Sequence, residues 1–213
     1  MYTAIILAAG RGSRIGFRKQ FATLCGKPLF MHSLEKVLDI FEEVILVLPE
    51  DFLDKVKVHP KVKKVAGGPE RQDSVFNALL QATGDIVVIH DSARPLATKK
   101  MFLEVAQLGD YHGKVVASPA RDTLKEVVEG KVIKTLNRSL IWHAQTPQAF
   151  RRDILLECHM RAKAEGFVGT DDASLLERYG YSVGVVEGSY WNVKITYPED
   201  LEMVKKIMGC EED

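Results

Sequence analysis

With 213 residues, 46% of them hydrophobic, the chain can bury one full core, as single α/β domains of this length do. Lysine plus arginine and aspartate plus glutamate both total 29, so net charge supports neither nucleic-acid binding nor attachment to an anionic membrane, and the basic residues must act locally. Cys25, Cys158 and Cys210 are odd in number and far apart, which supports no disulfide framework and no C-x-x-C pair and fits a reducing cytoplasm; no apolar run reaches the length of a membrane span.

The first predicted element is the apolar run Ala4 to Ala8, a pattern expected of a parallel strand buried on both faces. It leads into a loop with Gly10, Gly12 and Gly16 and the cations Arg11, Arg14, Arg18 and Lys19. Glycines let backbone N–H groups approach an anion, and the cations add charge at the same place, so polyphosphate is the ligand this segment suits. Gly16 falls one residue late for a dinucleotide G-x-G-x-x-G fingerprint, and Gly26-Lys27 is followed by Pro28 rather than the Ser or Thr of a Walker loop. Phe30 to Phe41 has helical spacing, and Val44 to Leu48 is a second apolar strand. Residues 50 to 58 suit a short helix, and Val62 to Val65 a weaker strand.

GGPERQDSV then opens a helix whose buried side carries Val75, Phe76, Leu79 and Leu80, leaving Gly67, Gly68, Arg71 and Ser74 at its N-terminal end, where backbone donors are unpaired. Strand Ile86 to Ile89 delivers His90, Asp91, Ser92, Ala93, Arg94 and Pro95 at its carboxyl end, where doubly wound sheets bind ligands. A helix around Phe102 to Ala106 and a strand at Val115 to Ala117 continue a mostly parallel sheet with helices on both faces. Residues 123 to 138 break the pattern as two short strands about a Glu129-Gly130 turn, read as an arm projecting from a single domain and spanning about 119 to 142. Thr146 and Pro147 read as a polar turn before a helix carrying Ile154, Leu155, Cys158 and Ala162. Thr170 suits a helix N-cap with Asp171 and Asp172 in the first turn, and Thr196 with Glu199 suits a capping box for the last helix. Val183 to Val186 and then WNVKIT are the final strand candidates, and Lys194, between Val193 and Ile195, reads either as an outward-facing strand residue or as a deliberate point charge. The histidines form no ligand-like cluster, so no zinc site is predicted.

LAAGRGSRI, Lys19-Gln20, GGPERQDSV, HDSARP, PARDT from Pro119, AQTPQ, TDDAS and NVKIT followed by PEDL occur in one order over residues 7 to 201. In this the chain resembles the 2-C-methyl-D-erythritol 4-phosphate cytidylyltransferases of the non-mevalonate isoprenoid pathway. The resemblance implies a Rossmann-like nucleotidyltransferase fold, a homodimer built through an extended β-arm, and reaction of CTP with methylerythritol phosphate, with Mg2+ held mainly by the CTP phosphates and Asp91 as a candidate ligand. It also implies that Ala8, Ala9, Gly10, Gly12, Gly68, Arg71, Ser74, Asp91 and Ser92 bind the nucleotide. Arg14, Lys19 and Lys194 are implied on the phosphates as the catalytic cations. Asp91, Arg94, Thr123, Arg138, Thr170 and Lys194 are implied around methylerythritol phosphate, with Thr123 and Arg138 from the other subunit. Arg18 stands where many relatives have proline, and Pro69 where many have an acid after the paired glycines. A phosphate monoester is already mostly dianionic at neutral pH, with a second pKa of about 6, so its attack on the α-phosphorus needs positioned cations and no general base. The rival readings are a ribitol 5-phosphate cytidylyltransferase, a dinucleotide-dependent oxidoreductase, and a non-catalytic nucleotide-binding or scaffold domain.

Overall fold

In the computed structural model, residues 1–10 and 18–210 are described, and the expectations for Arg11, Gly12, Arg14 and Gly16 fall outside them. The chain opens with β1 (Tyr2–Leu7), followed by the two-residue strands β2 (Thr23–Leu24) and β3 (Lys27–Pro28) and by α1 (Leu29–Leu38). Next come β4 (Glu43–Leu48), β5 (Val62–Ala66), α2 (Arg71–Leu79), β6 (Ile86–Asp91), α3 (Lys99–Ala106) and β7 (Gly113–Pro119). The arm strands are β8 (Lys125–Val128) and β9 (Lys131–Thr135), and the chain closes with β10 (Trp142–Arg151), α4 (Arg152–Glu165), α5 (Asp172–Arg178), β11 (Val183–Glu187) and α6 (Pro198–Met208). Residues 50 to 58 form only a 3-10 turn, Glu50–Phe52, and WNVKIT is not a strand.

The main sheet has the order β11-β7-β10-β6-β1-β4-β5, and β10 alone runs against its neighbours. Ala4 and Ile6 pack into one apolar layer with α1 and α3, while Ile5 packs into the other with α2, α4 and α5, which is why β1 carries no polar residue at its centre. From β1 the chain winds outward through β4 to β5 and then returns to β6 on the other side of β1. This reversal opens a crevice between the carboxyl ends of β1 and β6, with Leu7 and Asp91 in register beside it. A third, smaller cluster of Leu24, Leu29, Ile195 and Val204 holds the C-terminal segment against β2 and β3.

Three local expectations are corrected. The Thr146-Pro147 pair lies inside buried β10, at the break in register between Ala144 and Gln148; an interrupted ladder is where a strand tolerates a residue with no N–H. The α5 cap is Asp171, whose carboxylate accepts from the Ser174 N–H at 2.9 Å, one residue beyond Thr170. The last helix is held by Asp200, which accepts from the N–H groups of Thr196 and Tyr197, both at 2.8 Å, in place of Glu199. The cysteine reading also changes, because Cys25 and Cys210 are joined as a disulfide with their Cα atoms 5.2 Å apart. Cys158 is a free, buried thiol that burial pushes up to about 11.

The arm turns at Glu129 (φ 49°) and Gly130 (φ 77°), the paired left-handed residues of a tight hairpin. Its Val127, Val128, Val132 and Ile133 are each about half exposed, at 53%.

Candidate active site

The crevice holds a cleft of about 450 Å³ lined by Ala8, Ala9, Gly10, Lys19, Gly68, Arg71, Ser74, Asp91, Ser92 and Lys194 among others. These come from five separate stretches of chain. Gly10 has no left-handed φ, and a Cβ there would meet nothing within 4 Å, so its value is open floor rather than an unusual backbone. Its carbonyl accepts from Gln20 Nε2 at 2.9 Å, which ties the returning end of the basic loop to the floor. The paired glycines are a steric demand instead. A Cβ on Gly67 would lie 2.3 Å from that of Ala9, and one on Gly68 2.3 Å from that of Asp73. Close packing lets α2 begin at the cleft wall, where Ser74 Oγ accepts the Gly68 N–H at 3.0 Å.

Asp91 is the electrostatic centre. Its Oδ1 accepts from Arg71 Nε at 3.1 Å and its Oδ2 from Lys194 Nζ at 2.7 Å. Burial pushes its carboxyl upward, but the charges and hydrogen bonds of Arg71 and Lys194 outweigh that and hold it well below the usual carboxylate range. Lys19 reaches the same place from the other end of the chain, donating from Nζ to the Ile195 carbonyl at 2.7 Å. Ile195 is itself fixed by its N–H on the Ala93 carbonyl at 2.8 Å. One short segment, residues 194 to 195, thus carries one lysine and anchors the other.

Behind Asp91 lies a polar network that sequence reasoning missed. Thr146 Oγ1 accepts from the Asp91 N–H at 3.0 Å and lies 2.9 Å from His90 Nδ1. His90 Nε2 faces the Arg94 carbonyl at 3.1 Å, which requires a donor. His90 is therefore the neutral Nε2–H tautomer, with Nδ1 accepting from the Thr146 hydroxyl, and burial drives its pKa down to about 3. Lys36, whose pKa burial lowers, donates to the carbonyls of Pro95 and Ala97 and fastens the far side of this loop. Arg94 does not pair with the Asp91 carboxylate. Its Nη1 donates to the Asn192 carbonyl at 2.7 Å, and the Asn192 amide donates to Gln145 Oε1 and the Thr146 carbonyl. A buried threonine beside a proline carries no sequence signal of such a role.

Thr170 lines a separate cavity of about 90 Å³ between the starts of α2 and α5. Thr123 and Arg138 are exposed at the root of the arm, where Arg138 donates to the Arg121 carbonyl, and neither lines the cleft of its own chain. Among the described residues no three His, Cys, Asp or Glu side chains gather as a metal site. None of their helices is long and apolar enough to cross a membrane.

Residues 2–210 match the family model of 2-C-methyl-D-erythritol 4-phosphate cytidylyltransferase. The chain is 42% identical over 224 aligned residues to the enzyme of that name from Bacillus mycoides, covering 99% of both chains. Its fold is similar to the crystal structure of 4-diphosphocytidyl-2C-methyl-D-erythritol synthase from Anaerococcus prevotii, with a TM-score of 0.88, 29% identity and coverage of 98% and 96% of the two chains. The 2-C-methyl-D-erythritol 4-phosphate cytidylyltransferase of Francisella tularensis gives a TM-score of 0.83 at 32% identity, covering 96% of this chain and 98% of that one.

Proposed function

The chain belongs to the 2-C-methyl-D-erythritol 4-phosphate cytidylyltransferase family, and we propose that it performs the family's reaction in the cleft around Asp91, with Lys19 and Lys194 as its catalytic cations. The enzyme transfers the cytidylyl group of CTP to 2-C-methyl-D-erythritol 4-phosphate. The 4-phosphate oxygen forms a bond to the α-phosphorus, the bond from that phosphorus to the bridging oxygen breaks, and pyrophosphate leaves with its electron pair.

One observation carries the assignment of roles: Lys19 and Lys194 converge on residues 194 to 195 beside a carboxylate that orients one of them. Cations held in place before reaction stabilise charge that grows in the transition state at little reorganisation cost. Arg14 would join them from the loop. The base and ribose go to the floor made by Ala8, Ala9 and Gly10 and to the wall made by Gly68, Arg71, Ser74 and Ser92, which fits their place at the switch point, and Gly12 is assigned to the same ligand on its motif alone. Arg94 would face methylerythritol phosphate with Asp91, and Thr170 would reach it from the adjoining cavity on the other side of Glu70 and Arg71.

A divalent cation, taken to be Mg2+, would bind with the triphosphate and neutralise its charge. It would be held mainly by the CTP phosphates, with Asp91 as the candidate protein ligand once an oxygen is released by Arg71 or Lys194, since such ions are commonly bound by one or two carboxylates with substrate phosphates. The arm is proposed to form a homodimer, because a two-stranded ribbon with four half-exposed β-branched residues is marginal without a partner surface. Thr123 and Arg138 would then complete the neighbouring site. Both substrates are highly charged and cross bilayers poorly unaided, which makes the cytoplasm the proposed compartment.

The test is metal-dependent pyrophosphate release from CTP across a panel of alditol phosphates that includes ribitol 5-phosphate. Lys19→Ala and Lys194→Ala should each lower kcat by about 10²- to 10³-fold. A rise in KM alone would reduce the two lysines to binding residues, and a preference for ribitol 5-phosphate would overturn the substrate.

A further inference from the structure

Asp172 lies one residue past the α5 cap and is 1% exposed, yet Asp171 already does the capping. A carboxylate that deep costs several kcal/mol to desolvate unless it is paired. Its Oδ2 accepts from Arg71 Nη1 at 2.8 Å, and its Oδ1 lies 3.5 Å from Nε2 of His159, a residue of α4 that is 2% exposed. The second contact is long for a hydrogen bond, and His159 Nε2 has no other partner. The imidazole is itself held by stacking on Phe76 of α2, with ring centroids 6.2 Å apart and planes inclined by 28°. Burial raises the Asp172 carboxyl, and Arg71 first, then His159, outweigh this to leave it below the usual range.

Arg71 is consequently gripped at two points, through Nε by Asp91 and through Nη1 by Asp172. The line His159, Asp172, Arg71, Asp91, Lys194 runs from the core beneath α2 and α4 to the ammonium group in the cleft. A guanidinium is a rigid planar fork, so fixing one edge fixes the other. The single contact from Arg71 Nε to Asp91 Oδ1 would leave the guanidinium free to pivot toward an incoming triphosphate. Asp91 would then have no fixed partner on that oxygen and could turn both oxygens onto Lys194.

We propose that Asp172 and His159 are positioning residues for cytidylyl transfer, acting through Arg71 to set which oxygen of Asp91 faces Lys194. The proposal rests on the reading of the Asp91 cleft as the reaction site. Asp172 acts on the direction of the Lys194 ammonium group rather than on the presence of a binding site. Its loss therefore falls on kcat more than on the KM for CTP.

The experiment is a double-mutant cycle on steady-state kinetics, with thermal unfolding recorded for each variant. Asp172→Asn should lower kcat by about 10- to 100-fold, the scale found when outer partners of site ligands are removed, and change KM for CTP less than about threefold. In an Arg71→Met background the same substitution should cost less than about twofold, because the link it acts through is already gone. His159→Phe keeps the ring on Phe76 and loses the nitrogen, so it should lower kcat by a smaller factor, about 2- to 5-fold, and also become silent in Arg71→Met. It carries the test if Asp172→Asn does not fold. Equal losses in both backgrounds, or lowered unfolding temperature with unchanged kcat, would overturn the proposal. Full activity in Asp91→Ala and Lys194→Ala would instead overturn the site assignment itself, so the two failures are distinguishable.

Discussion

Thr146→Val tests the network beneath Asp91 and has a magnitude that follows from two contacts. The threonine hydroxyl satisfies two groups, accepting the Asp91 N–H at 3.0 Å and donating to His90 Nδ1 at 2.9 Å. Thr146 is 4% exposed and His90 is fully buried, so neither orphaned group gains open solvent when the hydroxyl becomes a methyl. A buried donor or acceptor left unmade costs about 1–3 kcal/mol, so the pair should cost about 2–6 kcal/mol. That is a large share of the total stability of a domain. Valine puts a methyl of similar size where the hydroxyl was, so the lost bonds are the main effect. Thr146→Ser retains the hydroxyl and should lose only the methyl contribution, about 1 kcal/mol. The assay is urea unfolding at pH 7 by linear extrapolation, with m expected to stay constant. A loss below about 0.5 kcal/mol for Thr146→Val would show that the hydroxyl does not hold His90 and Asp91 together.

His90 also makes the fold acid-sensitive at an unusually high pH. Its folded pKa of about 3 lies below the unfolded value near 6.5, so the unfolded chain binds the proton first. Stability from this group is complete above about pH 6.5 and is lost as pH falls toward 3, at up to about 1.4 kcal/mol per pH unit; His90→Gln should flatten that slope in unfolding curves taken between these limits. For the proposed sharing of sites in a homodimer, mixing inactive Arg138→Ala with inactive Lys19→Ala protein should restore about a quarter of wild-type activity after free exchange, since half the dimers would then carry one intact site. No recovery, with exchange verified by mass-tagged subunits, would rule out sites built from two chains.

The alternation of strands and helices was legible because burial on both faces of a parallel sheet writes itself as unbroken apolar runs, as in β1 and β4. β10 was not, because Pro147 punctuates a ten-residue strand at the very place where its ladder breaks. The caps of α5 and α6 each shifted by one residue, since neighbouring Thr and Asp side chains compete for the same N–H groups and only the backbone path decides. The lysines and Asp91 stood out as charges beside apolar strands. Asp172 did not, because its partner Arg71 lies 101 residues away and nothing local distinguishes a buried first-turn acid from a solvated one. The Cys25–Cys210 bridge, spanning 185 residues, is invisible for the same reason.

The reversed course of β10 decides where the arm can be attached. β7 ends and β10 begins side by side, with Pro119 in register with Trp142, at the same end of the sheet as the carboxyl ends of β1 and β6. The arm is thus spliced into a hairpin connection whose two ends already meet, so lengthening, shortening or exchanging it requires no rethreading of the sheet. A lineage or a designer can therefore alter the arm as one cassette, while the network around Asp91 is inherited unchanged.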